Sequence, residues 1–447
     1  MLASFLTRLG DAWARTRTSY LLIPTLMLVT SVGLALGMIY LDVVLHEGEL
    51  KLPWLTTLTV GASRTILSTL AGTTATIAGV VFSLTIVTLQ LGASQFGPHV
   101  MRAFLSDRGS QVVLGAFIGV FAYSLIVLAT GRSDAEFVPY VATVMAIFLG
   151  VLAMGVLIYF INHIANMMRL ESVLRVLARH LADVTETEFP DRLGQGETVW
   201  REQPPLAPPC FQKHGTEIRA RGSGYVRRVN VRALMRLATK HDLLIWLEAR
   251  PGDLVVVGMV LMTAAPLGPS RLDTPTSDAL RGVVVLGERR TPNQDISYAL
   301  QQLVEVALRA LSPGINAPFI ALPALDTVAV GLVRLAERRM PSLRRCDGSG
   351  TERVLVARGL TLAGMARDAL GPIASAGAQH CFVIARVVEV AFLVAAHAHV
   401  EEDRRELRAF AEAIAAEGES ASGTERERDV LRRRRAAART RPPNAIR

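Results

Sequence analysis

The sequence predicts an α-helical membrane protein: four transmembrane helices followed by a cytoplasmic α+β domain that contains a small barrel-sandwich-like β module. Three observations lead there. A hydrophobic fraction of 51% and a mean hydropathy of +0.35 are too apolar for an ordinary soluble enzyme. The apolar runs are concentrated before Phe160, where only eight Lys/Arg and seven Asp/Glu occur. Short β-branched runs separated by turn residues begin only after Pro209. The implied organisation is a four-span region over residues 1–165, a membrane-exit helix and linker over 166–212, and the β module over 213–290. A helical region over 291–417 and a disordered basic tail over 418–447 complete it.

Four segments are long enough and free enough of charge to cross a bilayer: Tyr20 to Leu45, Arg64 to Gly92, Gln111 to Thr130 and Phe137 to Phe160. The first is too long for the apolar core of a cleaved signal peptide, and no small-x-small site with a polar continuation follows it. Arg8, Arg15 and Arg17 precede the first span, Arg102 and Arg108 separate the second from the third, and Arg169, Arg175 and Arg179 follow the fourth. The other two connections lean acidic, with Asp42, Glu47, Glu49 and a lone Lys51, then Arg132, Asp134 and Glu136. Basic residues mark the cytoplasmic side, so both termini are expected there. Cys210, Cys346 and Cys381 all follow the spans and form no CxxC pair, as suits a reducing compartment.

The second span carries a polar stripe. At 100° per residue, Thr65, Thr69, Gly72, Thr73, Thr76, Gly79, Ser83, Gln90 and Ser94 fall within a sector of about 120°, interrupted by Val80 and Val87. Small residues at this spacing suit close helix packing, within the bundle or between protomers of a homo-oligomer. They equally suit a water-lined path formed when several copies turn this face to a common axis. The 29 residues from Arg64 to Gly92 extend about 43 Å against a hydrocarbon core of about 30 Å, so this helix tilts or protrudes. Beyond it, GASQFGPH reads as a break and VMRAFLSDRG as a short interfacial helix with Phe96, Val100, Phe104 and Leu105 on its apolar side.

After the fourth span, Ile164, Met168, Val173, Leu174, Leu177 and Leu181 recur on one side of a helix leaving the membrane. His163 and His180 are too far apart to share a helical turn as metal ligands. Phe189 to Pro209 is a Pro- and Gly-rich linker. Strands are expected around Gly224 to Val229, Leu243 to Glu248 and Leu254 to Val257, with a helix-like insert after the first and a turn at Arg250-Pro251-Gly252-Asp253. This order is similar to the barrel-sandwich modules of biotinyl and lipoyl carriers. Lys240, in a Thr-Lys-His-Asp context, does not provide their attachment site, so a structural or ligand-sensing module is expected.

The most specific stretch is GVVVLGERRTPNQDISYALQQLVEVALRALSPGINAPFIALPALDTVAVGLVRLAERRMP, Gly282 to Pro341. Thr291-Pro292-Asn293-Gln294 reads as a capping box with Pro at the first helical position, and Asn316 as the cap of the next helix, with Pro318 in its first turn. Together with GVVFSLTIVTLQLGASQFGPHVMRAFLSDRGSQVVLGAFIG at the second and third spans, this stretch resembles the domain-of-unknown-function 2254 family of predicted bacterial membrane proteins. The resemblance runs from the first span to about His399. It implies four spans and a cytoplasmic domain in a bacterial cytoplasmic membrane, and no established activity. It also implies an aspartate after Asn316, where this chain has Ala317, which weakens a carboxylate-based site at that turn.

The polar residues along these helices are Arg290, Asp295, Arg309 and Asp326, a charge network or small-anion site. No phosphate loop, nucleophile elbow or HExxH is present. His397 and His399, two apart, do not face each other on a helix. The reading is therefore non-enzymatic, with no cofactor and no metal. The Arg-rich tail, with Arg432 to Arg435, suits anionic headgroups and gives no sign of specific nucleic-acid binding. The expected partners are the lipid bilayer and further copies of the chain. The leading function is an oligomeric channel with the second span lining its path and the cytoplasmic domain regulating it; the alternative is a membrane-anchored sensor or scaffold whose β module binds a ligand or partner.

Overall fold

The computed structural model describes residues 21–47, 59–96, 107–130, 139–167, 169–188, 198–199, 206–268 and 272–440. The chain divides into two compact units, Met1–Val173 and Leu174–Arg447.

The first unit holds α1 (Leu22–Glu47), α2 (Val60–Phe96), α3 (Arg108–Thr130) and α4 (Tyr140–Met167). All four are long and apolar enough to cross a membrane. They overlap the four segments expected with shifted ends: α2 runs four residues further at each end than Arg64 to Gly92, and α4 begins three and ends seven residues later than Phe137 to Phe160. The interfacial helix expected after Phe96 falls on residues 97–106, outside the described residues. The inner helix is α3, half of whose apolar window is buried against 11% for α1. Glycine makes that possible: a Cβ at Gly115 would lie 2.7 Å from Met27 Sδ, and one at Gly119 2.5 Å from Ser31 Oγ. Phe117, Tyr123 and Val127 of α3 are buried with Leu67, Val81 and Ala146. Buried polar pairs fix the register. Ser63 and Thr143 hydroxyls meet at 2.7 Å, and the Tyr123 hydroxyl donates to the Ala142 carbonyl at 2.9 Å.

Asp42, expected in a connection facing outward, lies instead within α1 and is buried. Its carboxylate accepts from the backbone amides of Val141 and Ala142, each at 2.8 Å, and so caps the start of α4 from another helix. The start of α3 is capped locally, by the carboxylate of the residue that precedes it. Asp107 accepts from the Ser110 amide at 2.7 Å and lies 2.8 Å from His163 Nε2 of α4.

In the second unit, reached through α5 (Leu170–Glu188), the elements in order are β1 (Thr198–Val199), α6 (Pro209–His214), β2 (Thr216–Arg219), β3 (Gly224–Val229), α7 (Val231–Lys240), β4 (Leu243–Leu247), β5 (Leu254–Val255) and β6 (Val260–Pro266). Then come α8 (Thr274–Gly282), β7 (Val284–Gly287), α9 (Ile296–Ala310), α10 (Pro318–Ala336), β8 (Met340–Pro341), β9 (Arg344–Cys346) and β10 (Glu352–Val356). The chain continues with α11 (Leu362–Ala376), α12 (Cys381–His397), α13 (Glu401–Ala421) and α14 (Glu425–Thr440).

The expected strands and the helical insert are present, but the β module does not close within residues 213–290. A five-stranded sheet has the order β2-β6-β4-β10-β9, and a three-stranded sheet the order β5-β3-β7. The strand β4, LLIWL, is almost wholly buried and needs partners on both edges. One is β6, antiparallel; the other is β10, parallel, from the region expected to be purely helical. The core between sheet and helices joins Ile218, Leu234, Ile245, Met262, Leu280 and Val354.

The β9–β10 connection is held by Asp347, which accepts from the Ser349 hydroxyl and amide, and from Arg353 Nε at 2.7 Å. Those hydrogen bonds, the Ser349 hydroxyl first, hold the Asp347 carboxyl well below the usual carboxylate range. A depressed carboxylate stabilises the fold above its unfolded pKa of about 4, and the contribution is lost as pH falls below that. The gap in melting temperature between the native chain and Asp347→Asn should therefore be constant near neutrality and close as pH falls below about 4. A gap independent of pH would remove the charge from the explanation.

Helices α9 to α14 pack together, with α10 against α9, α11 and α12. By composition α10 is a fifth helix apolar enough to cross a membrane, and half of its window is buried by these neighbours. Gly331 of α10 lies so close to Leu181 of α5 that any Cβ would overlap it. The tail expected to be disordered is a helix over its described residues. Leu431 of α14 is buried and its arginines reach glutamates of α12 and α13, partners more than ten residues away that a local charge count does not reveal.

Candidate functional site

Thr65, Thr69, Gly72, Thr73, Thr76, Gly79, Ser83 and Gln90 are all exposed on the outer surface of the helical bundle. The opposite face of α2 supplies its buried residues, Ser63, Leu67, Ala71, Thr74, Val81 and Thr88. The stripe is thus not a packing seam inside one chain. A Cβ at Gly72 or Gly79 would meet nothing within 4 Å. The hydroxyls of Thr65, Thr73 and Thr76 donate to the carbonyls of Gly61, Thr69 and Gly72, at 2.9, 2.7 and 2.9 Å. Each hydroxyl thereby satisfies its own proton and leaves oxygen lone pairs directed outward. Gln90 differs: its exposed primary amide lies inside the apolar window Val60–Gly92, and a bare amide in hydrocarbon costs several kcal/mol, about 4–8 on an alkane scale. Water, a headgroup or another chain must meet it.

Arg290, Asp295, Arg309 and Asp326 do not form one cluster. Arg290 Nε and Nη2 each lie 2.8 Å from Asp295 Oδ2, and Arg290 sits over the Tyr298 ring at 5.0 Å. Asp295 is buried, which pushes its carboxyl up from the ordinary value against the pull of the Tyr298 amide and of Arg290. It also accepts from the Tyr298 amide at 2.9 Å and is the N-cap of α9. The capping box expected at Thr291 is therefore displaced by four residues. Residues 291–294 form a turn, the Gln294 side chain accepts from the Val229 amide of β3 at 2.9 Å, and the buried Thr291 hydroxyl has no hydrogen-bond partner among the described residues. The sequence signal was ambiguous because Asp295 and Tyr298 offer the same donor spacing as Thr291 and Gln294.

Asp326 belongs to a second centre, at 2.7 Å from Arg386 Nε of α12. Arg386 in turn contacts Glu389 at 2.8 Å, and Glu389 meets Arg434 of α14 at 3.2 Å. A cavity of about 470 Å³ opens beside this chain, lined also by Phe319, Leu322 and Phe382. The Phe319 and Phe382 rings stack at 5.0 Å. Arg309 sits in the last turn of α9 and joins neither centre. Asn316, expected to cap α10, takes a left-handed φ of 43° that turns its side chain to His380, 3.1 Å away, and Ala317 occupies the cap position. Among the described residues, no group of His, Cys, Asp and Glu is arranged to hold a metal ion.

The family described as "Predicted membrane protein (DUF2254)" matches residues 17–391. Uncharacterized proteins of Mycobacterium tuberculosis (Rv1290c) and Mycobacterium bovis (Mb1321c) are each 31% identical over 329 residues, 72% of this chain and 61% of their own length. A third, MT1328 of a second Mycobacterium tuberculosis strain, is 30% identical over the same shares. The chain thus spans less than two thirds of these relatives. No solved structure matches it.

Proposed function

The chain belongs to the DUF2254 family of predicted membrane proteins, and from that premise we propose that it is a homo-oligomeric channel of the bacterial cytoplasmic membrane. In this reading α1 to α4 are the spans, both termini are cytoplasmic, α10 stays within the regulatory second unit, and the outer face of α2 lines the path. The observation that carries it is the exposure of all eight stripe positions on a helix whose other face is buried. Lipid tails gain nothing from a row of outward hydroxyl oxygens along α2, whereas a wet axis uses them and Gln90 alike. A second reading, a membrane-anchored scaffold, draws on a different feature. Leu254, Val256, Val257 and Met259 around β5 are 47–62% exposed and form an apolar surface suited to a partner.

Reconstituted protein assayed in parallel for ion flux and for oligomer size separates these. Thr76→Leu and Ser83→Leu are expected to abolish most flux while the oligomer persists, because a dewetted constriction blocks ions without preventing assembly. Loss of the oligomer in both variants would make the stripe a packing seam. Thr76→Ser keeps the hydroxyl and is expected to behave as the native chain. Absence of flux from native oligomers for cations, anions and under membrane tension would remove the channel and leave the scaffold.

A further inference from the structure

Between Glu425 and Thr440, α14 carries seven arginines and three acidic residues, and it is held in place chiefly by those charges. Leu431 is its one buried residue. Where apolar side chains of a well-packed helix would meet α12, a cavity of about 400 Å³ remains, lined by Arg386, Val390, Leu393, Arg434 and Ala437 among others. One ion pair, Arg434 with Glu389, borders that gap, and the others join α14 to α13. Arg434 meets Glu389 of α12 at 3.2 Å; Arg432 and Arg435 meet Glu419 of α13 at 3.2 and 3.0 Å. Arg435 also meets Glu412 at 2.6 Å, with Arg439 at 3.9 Å from the same residue. These arginines are 33–70% exposed, so water and salt screen every pair.

Three glutamates on α12 and α13 therefore act as an acidic strip that occupies four arginines of α14. A guanidinium pairs as readily with a phosphate as with a carboxylate. Between α13 and α14 only Ser422, Gly423 and Thr424 intervene, and glycine there allows the second helix to swing about the first. The family match ends at residue 391, so α14 and two of its three glutamate partners lie beyond the matched part.

We propose that α14 is a releasable helix that exchanges the Glu389, Glu412 and Glu419 strip for the anionic headgroups of a bilayer surface. The two bound states are mutually exclusive, because the same arginines serve both. Val430, Leu431 and a few alanines are too small an apolar face for insertion, so the association is electrostatic and reversible. A bilayer is the fitting anionic partner because every copy of this membrane protein is tethered to one.

The full chain is placed in nanodiscs of phosphatidylcholine, alone or mixed with phosphatidylglycerol. Spin labels at Ala409→Cys and Ala436→Cys, with Cys210, Cys346 and Cys381 replaced by Ser, report the separation of α13 and α14. A short distance is expected in the neutral discs, and a longer one whose population rises several-fold with phosphatidylglycerol. The unmodified chain supplies a second readout: amide exchange over α13 should accelerate as the strip is uncovered. The E389Q/E412Q/E419Q variant weakens only the docked state and should release at a lower phosphatidylglycerol fraction. Identical distances and identical exchange in both lipids would overturn the proposal, as would release by duplex DNA with none by phosphatidylglycerol.

Discussion

Asp42→Ala is expected to destabilise the helical bundle by about 2–4 kcal/mol, because it leaves one buried and one partly buried amide donor without a partner. The first amides of a helix have no acceptor within it. At the start of α4 those of Val141 and Ala142 are answered from α1, by one carboxylate with an oxygen for each, at 2.8 Å. Asp42 is 5% exposed, so water does not replace the carboxylate once it is removed. The negative charge also lies at the positive end of the α4 dipole, which adds to its worth. Asp42→Asn retains one acceptor oxygen and should lose about half as much, around 1–2 kcal/mol. Thermal unfolding of the three chains in the same detergent orders them: native, then Asn, then Ala. Equal stability of the Ala variant and the native chain would mean that the two amides find water, and that this end of α4 is wet.

Asp42 also shows where the sequence stops being legible. The four apolar helices follow from composition alone, since an uncharged run of about 20 residues has few alternatives. The strands Gly224–Val229 and Leu254–Val255 likewise follow from local pattern and from the turn at Pro251-Gly252. A carboxylate that caps a helix 99 residues away leaves no local trace; read locally, Asp42 is a loop acid. The same holds for β10, whose pairing with β4 spans more than 100 residues, and for α14, whose helix is completed by Glu389, Glu412 and Glu419 on other elements. In the candidate site the periodicity of α2 correctly gathered the polar residues on one face. It did not say which way that face points. Only the position of α3, α4 and their contacts with Leu67 and Val81 settles that the stripe looks away from its own bundle.

Gly252→Ala is expected to cost about 2–5 kcal/mol, from two sources that a double variant separates. Gly252 has a φ of +93°, a region that alanine enters only with strain. Its missing side chain is also the space occupied by the Asp295 carboxylate: an added Cβ would overlap that group, 2.8 Å from Cγ, with Arg290 Nη2 at 3.1 Å. The carboxylate cannot give way freely, since it is buried, caps α9 through the Tyr298 amide and is paired with Arg290. Nor can the turn, whose Gly252 amide donates to the Val226 carbonyl of β3 at 2.8 Å and whose Asp253 accepts from the Arg250 amide at 3.0 Å. Asp295→Ala by itself removes a cap and a buried ion-pair partner, and should cost about 2–4 kcal/mol. In the double variant the carboxylate is gone and the Arg290 guanidinium, 3.1 Å from the added Cβ, is released from Asp295 and free to shift, so chiefly the backbone strain of an alanine in the left-handed region remains to be added. The double loss should therefore fall short of the sum by about 1–2 kcal/mol, within the range for residues in contact. Strict additivity would show that the strain at φ alone accounts for Gly252, and that the close approach of this turn to Asp295 is not what the glycine provides.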